Sequence, residues 1–224
     1  MNVIIYVLIL ALSMFSLYIF RKLLGNLGLK IVFILMSITS FILTFKYITL
    51  ATINLNANCI TYVTMFSSLY LLLDTTSKEE VKKLSNQNFI ISIFVSIMLY
   101  IMTYHTQSLT DTIGINMKNV FEVNSTILIT YPIITLLSNY FSIYMYEKIK
   151  KLYDNMFITT VTTFLLVGIV EGIIYTFISY YNVLTPKVII QLILSTYMIK
   201  LILTVIYSLY LMLITKKKVS EWVV

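Results

Sequence analysis

The groups with the most chemistry in this chain are two opposite charges set deep in long apolar runs. Glu171 lies within Gly168-Ile169-Val170-Glu171-Gly172, and Lys200 within Tyr197-Met198-Ile199-Lys200-Leu201. An ionised carboxylate is a strong hydrogen-bond acceptor and an ammonium a threefold donor. A charge at the centre of a membrane helix costs roughly 2.5–3.5 kcal/mol on insertion scales, and such residues usually mark a solute or ion pathway. Two readings stay open at this point. Either the pair only neutralises itself, specifying how two helices pack, or it lines a cavity for a small solute.

Covalent or redox chemistry has no comparable signal. There is no HExxH, no GxSxG, no phosphate-binding glycine loop and no cluster of His, Asp and Cys, so no enzyme and no cofactor are expected. Nothing corresponds to a nucleotide-binding half, so ATP hydrolysis within this chain is not expected either. The single cysteine, Cys59, excludes an internal disulfide and a cysteine metal cluster. The single histidine, His105, falls where an apolar run meets a polar loop and reads as an interfacial residue.

The elements that must position Glu171 and Lys200 follow from composition. Of 224 residues, 59% are hydrophobic and 11% charged, with a mean hydropathy of +0.94. No soluble domain of this size can hide that much apolar surface, so the expected solvent is lipid. Seven apolar runs stand out: 3–20, 31–50, 59–73, 89–104, 127–146, 156–181 and 188–214. A helix needs about 20 residues to cross the hydrocarbon. The third and fourth runs are short, and complete a crossing only if Asn58 and Asn86-Gln87-Asn88 sit at the interface or face protein.

Basic residues between and after the runs number three, zero, three, one, three, one and three. The triplets are Arg21, Lys22 and Lys30; Lys78, Lys82 and Lys83; Lys148, Lys150 and Lys151; and Lys216, Lys217 and Lys218. Lys118 and Lys187 stand alone. By the positive-inside rule this predicts seven crossings of the plasma membrane, N-terminus outside and C-terminus in the cytoplasm. The net charge of +7 is thus a topology signal, and nucleic acid is not an expected partner. The first run has no basic residue before it and no small-residue cleavage site after it, which fits an uncleaved anchor. Its few polar residues make it the span least suited to line a pocket.

With that topology, a rise of 1.5 Å per residue puts Glu171 about 15 Å inside the outer end of its helix, and Lys200 and Asn139 each about 18 Å inside theirs. Three polar groups from three helices are predicted at one level. Helical spacing agrees: Tyr131, Thr135, Ser138, Asn139, Ser142 and Tyr146 form one stripe, Gly168, Glu171, Gly172 and Tyr175 another, and Tyr197, Lys200 and Thr204 a third. Gly168 and Gly172 make a small-xxx-small pair suited to close helix approach. Asp74 ends the third run on the basic side, and Lys46 near the outer end of the second can snorkel outward.

From about Ile31 to Ile214 the chain resembles the queuosine precursor transporter family, also called vitamin uptake transporters. The resemblance rests on Phe45-Lys46-Tyr47-Ile48, Leu71-Leu72-Leu73-Asp74, Ser138-Asn139, Tyr146-Glu147-Lys148-Ile149-Lys150-Lys151, Thr162-Thr163 before Glu171, and Tyr197 with Lys200 as Tyr-x-x-Lys. It implies a six-helix core over 31–214, similar to the substrate-binding subunits of energy-coupling-factor transporters, after an extra N-terminal helix and basic loop over 1–30. Residues 215–224 would form a cytoplasmic tail. It also implies uptake of a deazaguanine-type base, whose edge can offer Glu171 two parallel N–H donors. The chain departs from the family at Phe41, Leu43, Tyr62-Val63, Lys78-Glu79-Glu80-Val81 and Ser142, and carries Glu171 where the family has Asp.

The expectation is therefore an all-α, polytopic membrane protein that takes up or binds a small solute. Glu171, Lys200, Asn139, Ser142, Tyr197 and Asp74 are its candidate site residues. Expected partners are the bilayer, the solute, and either an energy-coupling ATPase or a second copy of the chain. The alternative is a non-transporting membrane interaction protein with a buried Glu–Lys pair.

Overall fold

The computed structural model describes residues 2–50, 53–102, 120 and 125–216. His105, Lys118, Lys217, Lys218 and the tail beyond 216 lie outside the described residues. Among the described residues the chain is all-helical but for one small ribbon. The elements are α1 (Asn2–Leu43), β1 (Tyr47–Leu50), β2 (Ile53–Asn56), α2 (Cys59–Thr75), α3 (Lys78–Met102), α4 (Ser125–Leu152), α5 (Met156–Tyr180) and α6 (Pro186–Lys216). Five of the helices, all but α2, are long and apolar enough to cross a membrane.

The first two apolar runs share α1, which is broken at Gly25 (φ 57°, ψ −131°). Glycine takes this left-handed φ without the Cβ clash other residues meet. The two halves double back on one another. Asn2 Nδ2 donates to the carbonyl of Thr49, beyond the far end of the second half, at 2.9 Å. Beside the break, a Cβ on Gly28 would stand 1.9 Å from the Phe20 carbonyl oxygen. The N-terminal half is tied into the bundle rather than set apart from it. Tyr207 Oη lies 2.5 Å from Ser13 Oγ and 2.6 Å from Thr64 Oγ1, joining α1, α6 and α2.

Helix α2 is the centre of the bundle. Every residue from Cys59 to Leu72 is buried, as expected of a helix apolar on all sides. Its 17 residues span only about 26 Å at 1.5 Å per residue. It can be short because protein surrounds it and Asn58 before it is buried. The polar shoulder of the fourth run likewise continues as helix. α3 starts at Lys78, and Asn88 is buried with its Nδ2 donating to Ser37 Oγ of α1 at 2.9 Å.

Helix α4 carries Pro132, which has no N–H to give the carbonyl of Leu128. Ser96 Oγ of α3 stands 2.8 Å from that carbonyl and shares its one proton between it and the Ser92 carbonyl (2.8 Å), so the gap left by proline becomes a tie between helices. Asn155 caps α5, accepting from the N–H groups of Phe157 (2.9 Å) and Ile158 (3.3 Å). Pro186 opens α6 at a position where its missing N–H costs nothing.

One expectation is corrected. The second run does not stay helical to Leu50. Its helix ends at Leu43, and Tyr47–Leu50 pairs antiparallel with Ile53–Asn56, Tyr47 opposite Asn56. Hydropathy cannot tell a short apolar strand from the end of a helix, whereas the alternation in Ile53-Asn54-Leu55-Asn56 matches a strand. This ribbon is clamped to α6: Ser195 Oγ donates to the Asn54 carbonyl (2.6 Å), and the Asn56 N–H to Thr196 Oγ1 (3.4 Å).

Candidate functional site

Glu171 and Lys200 face one another across the α5–α6 contact. Lys200 Nζ lies 3.5 Å from Glu171 Oε2, and each side chain is 7% exposed. Both positions follow from helical spacing. Glu171 lies on the buried stripe of α5 with Phe164, Val167, Gly168 and Tyr175, and Lys200 on the inward side of α6 with Leu203, Thr204 and Tyr207. The ammonium also sits over the Tyr62 ring of α2, 3.5 Å from its centroid. A desolvated cation–π contact of this kind is worth about 2 kcal/mol. Tyr62 thus gives the buried cation a second partner, and its hydroxyl stands beside Glu171 just outside full hydrogen-bond geometry.

The pair lines a narrow cleft of mixed polar and apolar walls between α5 and α6, with the ribbon at one end. Asn56 and Asn58 come from the ribbon side, Gly172, Tyr175 and Tyr180 from α5, and Thr196 and Tyr197 from α6. The free volume is about 20 Å³, room for about one water molecule. Asn56 holds this end in place: its Nδ2 donates to the Thr44 carbonyl (3.0 Å) and to Tyr180 Oη (3.4 Å). Asn58 Nδ2 donates to Thr44 Oγ1 (3.0 Å), while Asn58 Oδ1 has no partner. Tyr197 Oη donates to the Leu165 carbonyl at 3.3 Å, tying α6 to α5 beside the cleft.

No family model, curated protein or solved structure matches this chain.

Of the six sequence candidates, the structure brings Glu171, Lys200 and Tyr197 to this cleft. Asn139 and Ser142 do not line it. Both are fully buried on α4, and neither Asn139 amide atom nor Ser142 Oγ has a hydrogen-bond partner among the described residues. Counted back from the turn at Asp154, Asn139 is level with Ile169 of α5, so its depth resembles that of Glu171 while its partners differ. Asp74 lies elsewhere. It is about 18 Å along α2 from Tyr62, in an ion pair with Lys150 at the other end of the bundle.

The two glycines also part company. A Cβ on Gly168 would meet Tyr197 Cε2 at 3.3 Å and Phe164 Cε1 at 3.4 Å, so this glycine permits the close approach of α6. On Gly172 a Cβ would meet nothing within 4 Å, because the cleft lies there. Spacing alone made them one packing motif; in the structure both line the cleft, and only Gly168 is also pressed by a neighbouring helix. Sequence reasoning missed Asn56 and Tyr62. The alternation Asn54-x-Asn56-x-Asn58 in a loop without basic residues was a usable signal for the first. Nothing in the sequence separated Tyr62 from the other tyrosines.

Chemically, the cleft offers one anionic acceptor, one cationic donor, amide groups and flat aromatic walls. That set can bind and orient a small polar solute. It contains no nucleophile–base pair, and among the described residues no group of three His, Cys, Asp or Glu could hold a metal.

Proposed function

We propose that this chain is a plasma-membrane transporter, or a membrane solute-binding subunit, that takes up a small polar solute through the Glu171–Lys200 cleft. The observation that carries this reading is the pair itself. Two charges are kept inside an apolar bundle, within a cleft, where two apolar side chains of similar volume would hold the helices equally well. Seven crossings, with the N-terminus outside and the C-terminus in the cytoplasm, are part of the proposal. α1 read as two crossings at Gly25, α2 as an enclosed one and the alternating lysines support that count.

By its resemblance to queuosine precursor transporters, the solute is proposed to be a deazaguanine-type base. Glu171 would accept its N–H donors, Lys200 would hold Glu171 charged or meet an acceptor, and Tyr175, Tyr180 and Tyr197 would cover ring faces. The cleft must widen to admit a base, so the solute would compete with Lys200 for the carboxylate. An energy-coupling ATPase or a second copy of the chain would assist from outside this fold.

The narrowness of the cleft, about 20 Å³, favours one rival, a pair that only specifies helix packing. Uptake in cells separates the two. Import of a labelled deazaguanine base that is abolished by Glu171→Ala, with membrane insertion intact, is the expected result. Uptake unchanged by Glu171→Ala removes this cleft from the route.

A further inference from the structure

At the opposite end of the bundle from the ribbon lies a second, larger cavity of about 250 Å³. Asp74, Tyr146, Lys150, Asn155 and Thr159 help to line it, on the side of the basic loops. The Asp74–Lys150 ion pair stands in its wall, with side chains 29% and 41% exposed. Arg21 adds a second positive charge near Asp74.

Between the two cavities runs a column of buried rings. Tyr62, beside Lys200, packs on Phe66 (centroids 4.8 Å), Phe66 on Tyr70 (6.0 Å), and Tyr70 stacks on Tyr146 (5.3 Å, 10° between planes). Tyr146 also lines the second cavity, so the rings join one to the other. Polar side chains accompany the rings. The Tyr62 hydroxyl stands beside Glu171 and the Tyr70 hydroxyl beside Ser142. Among the described residues, Thr163 Oγ1 and both amide atoms of Asn139 have no hydrogen-bond partner. Every one of these residues but Glu171 is at most 2% exposed. An unsatisfied buried group is costly, and lipid offers no relief. Asn139 is, among the described residues, the buried amide with neither its donor nor its acceptor paired, and a route for a hydrogen-bonding solute would use both.

Resting on the transport reading above, we infer that the Asp74–Lys150 cavity is the inner mouth of the same solute route, and that Asn139, Ser142 and Tyr70 form a transit subsite behind it. The subsite suits a flat, uncharged solute with both donors and acceptors. Asn139 supplies one of each, and the Tyr70–Tyr146 stack can part around a ring. Asp74–Lys150 is the latch. As a half-exposed ion pair it holds only weakly, which suits a contact that must open in every cycle. The Glu171–Lys200 pair, by contrast, is opened by the solute.

Thiol labelling tests this without any solute. The chain has one cysteine, so Cys59→Ser, which keeps a donor to the Asn56 carbonyl, gives a background for Ser142→Cys. A charged, membrane-impermeant methanethiosulfonate is applied to sealed vesicles of either orientation. Adding Asp74→Ala should raise the labelling rate at position 142 about two- to fivefold from the side of the basic loops and leave it unchanged from the other. Lys150→Ala should do the same, which guards against a folding defect peculiar to one variant. A rate that neither substitution changes, or that rises equally from both sides, overturns the inner mouth. Uptake abolished by Glu171→Ala alongside unchanged labelling would sink this inference alone. Labelling that responds as expected while Glu171→Ala leaves uptake intact would sink the outer cleft and keep the inner mouth.

Discussion

Lys200 Nζ lies 3.5 Å above the centroid of the Tyr62 ring, so the buried cation is shared between a carboxylate and an aromatic face. This makes the site a triad drawn from α2, α5 and α6. It also makes the contributions of Glu171 and Tyr62 separable.

Removing the carboxylate should be the more damaging change. Glu171→Ala leaves Lys200 buried and unpaired, and breaking such a pair costs about 3–5 kcal/mol. Thermal unfolding in detergent should show a large fall in Tm. The exchange Glu171→Lys with Lys200→Glu should restore much of the Tm without restoring solute binding, since the charges then face the cleft in reversed positions. Restored binding would mean that the order of the charges is irrelevant to the cleft.

Tyr62 divides by its two parts. Tyr62→Phe keeps the ring under Lys200 and removes a hydroxyl that stands just outside full hydrogen-bond geometry, so Tm should hold or rise slightly. Tyr62→Leu removes the ring and should cost roughly 2 kcal/mol beyond the change in packing. Equal losses in both variants would show that the hydroxyl, not the ring, supports the pair.

The three informative glycines should respond differently to alanine. Gly28→Ala drives a methyl into the Phe20 carbonyl, and backbone cannot step aside as a side chain can. Overpacking of this kind costs typically about 1–3 kcal/mol, read as lower yield and Tm. Gly168→Ala presses on Tyr197 and Phe164 and should be milder. Gly172→Ala meets nothing within 4 Å and should leave Tm unchanged while narrowing the cleft, so solute affinity should fall. A destabilised Gly172→Ala protein would show the cleft to be closed in solution.

Pro132 and Ser96 should be coupled. Ser96→Ala strands the Leu128 carbonyl and should cost about 1 kcal/mol. In a Pro132→Ala background the helix supplies its own N–H to that carbonyl, and the same Ser96 substitution should cost much less. A double-mutant cycle on Tm reads the difference; additive effects would show that the two residues do not share that carbonyl.

Much of this arrangement was legible because charge in an apolar run is costly and helical spacing is regular. Glu171 and Lys200 could be placed at one depth from residue counts alone, and the chain folds them into contact. Depth, however, does not fix direction around the helix axis. Asn139 has the expected depth and yet is buried on α4 away from the lining of the Glu171–Lys200 cleft. The ribbon at Tyr47–Asn56 was hidden because its first strand continues an apolar helix without a break in hydropathy. Helix α2 is short for its hydropathy because it is enclosed by protein, a neighbour that hydropathy does not distinguish from lipid. Tyr62 was hidden for a different reason: among 18 tyrosines, only tertiary structure selects the one beneath the ammonium.

The central claim is that the Glu171–Lys200 cleft holds a solute, and mass spectrometry of small molecules that co-purify with the detergent-solubilised protein tests it most directly. The account predicts one polar, ring-containing compound retained by the native chain and lost from Glu171→Gln, a variant that keeps the side chain's shape and an acceptor for Lys200. The same compound retained equally by both proteins, or no small molecule retained by either, would contradict it.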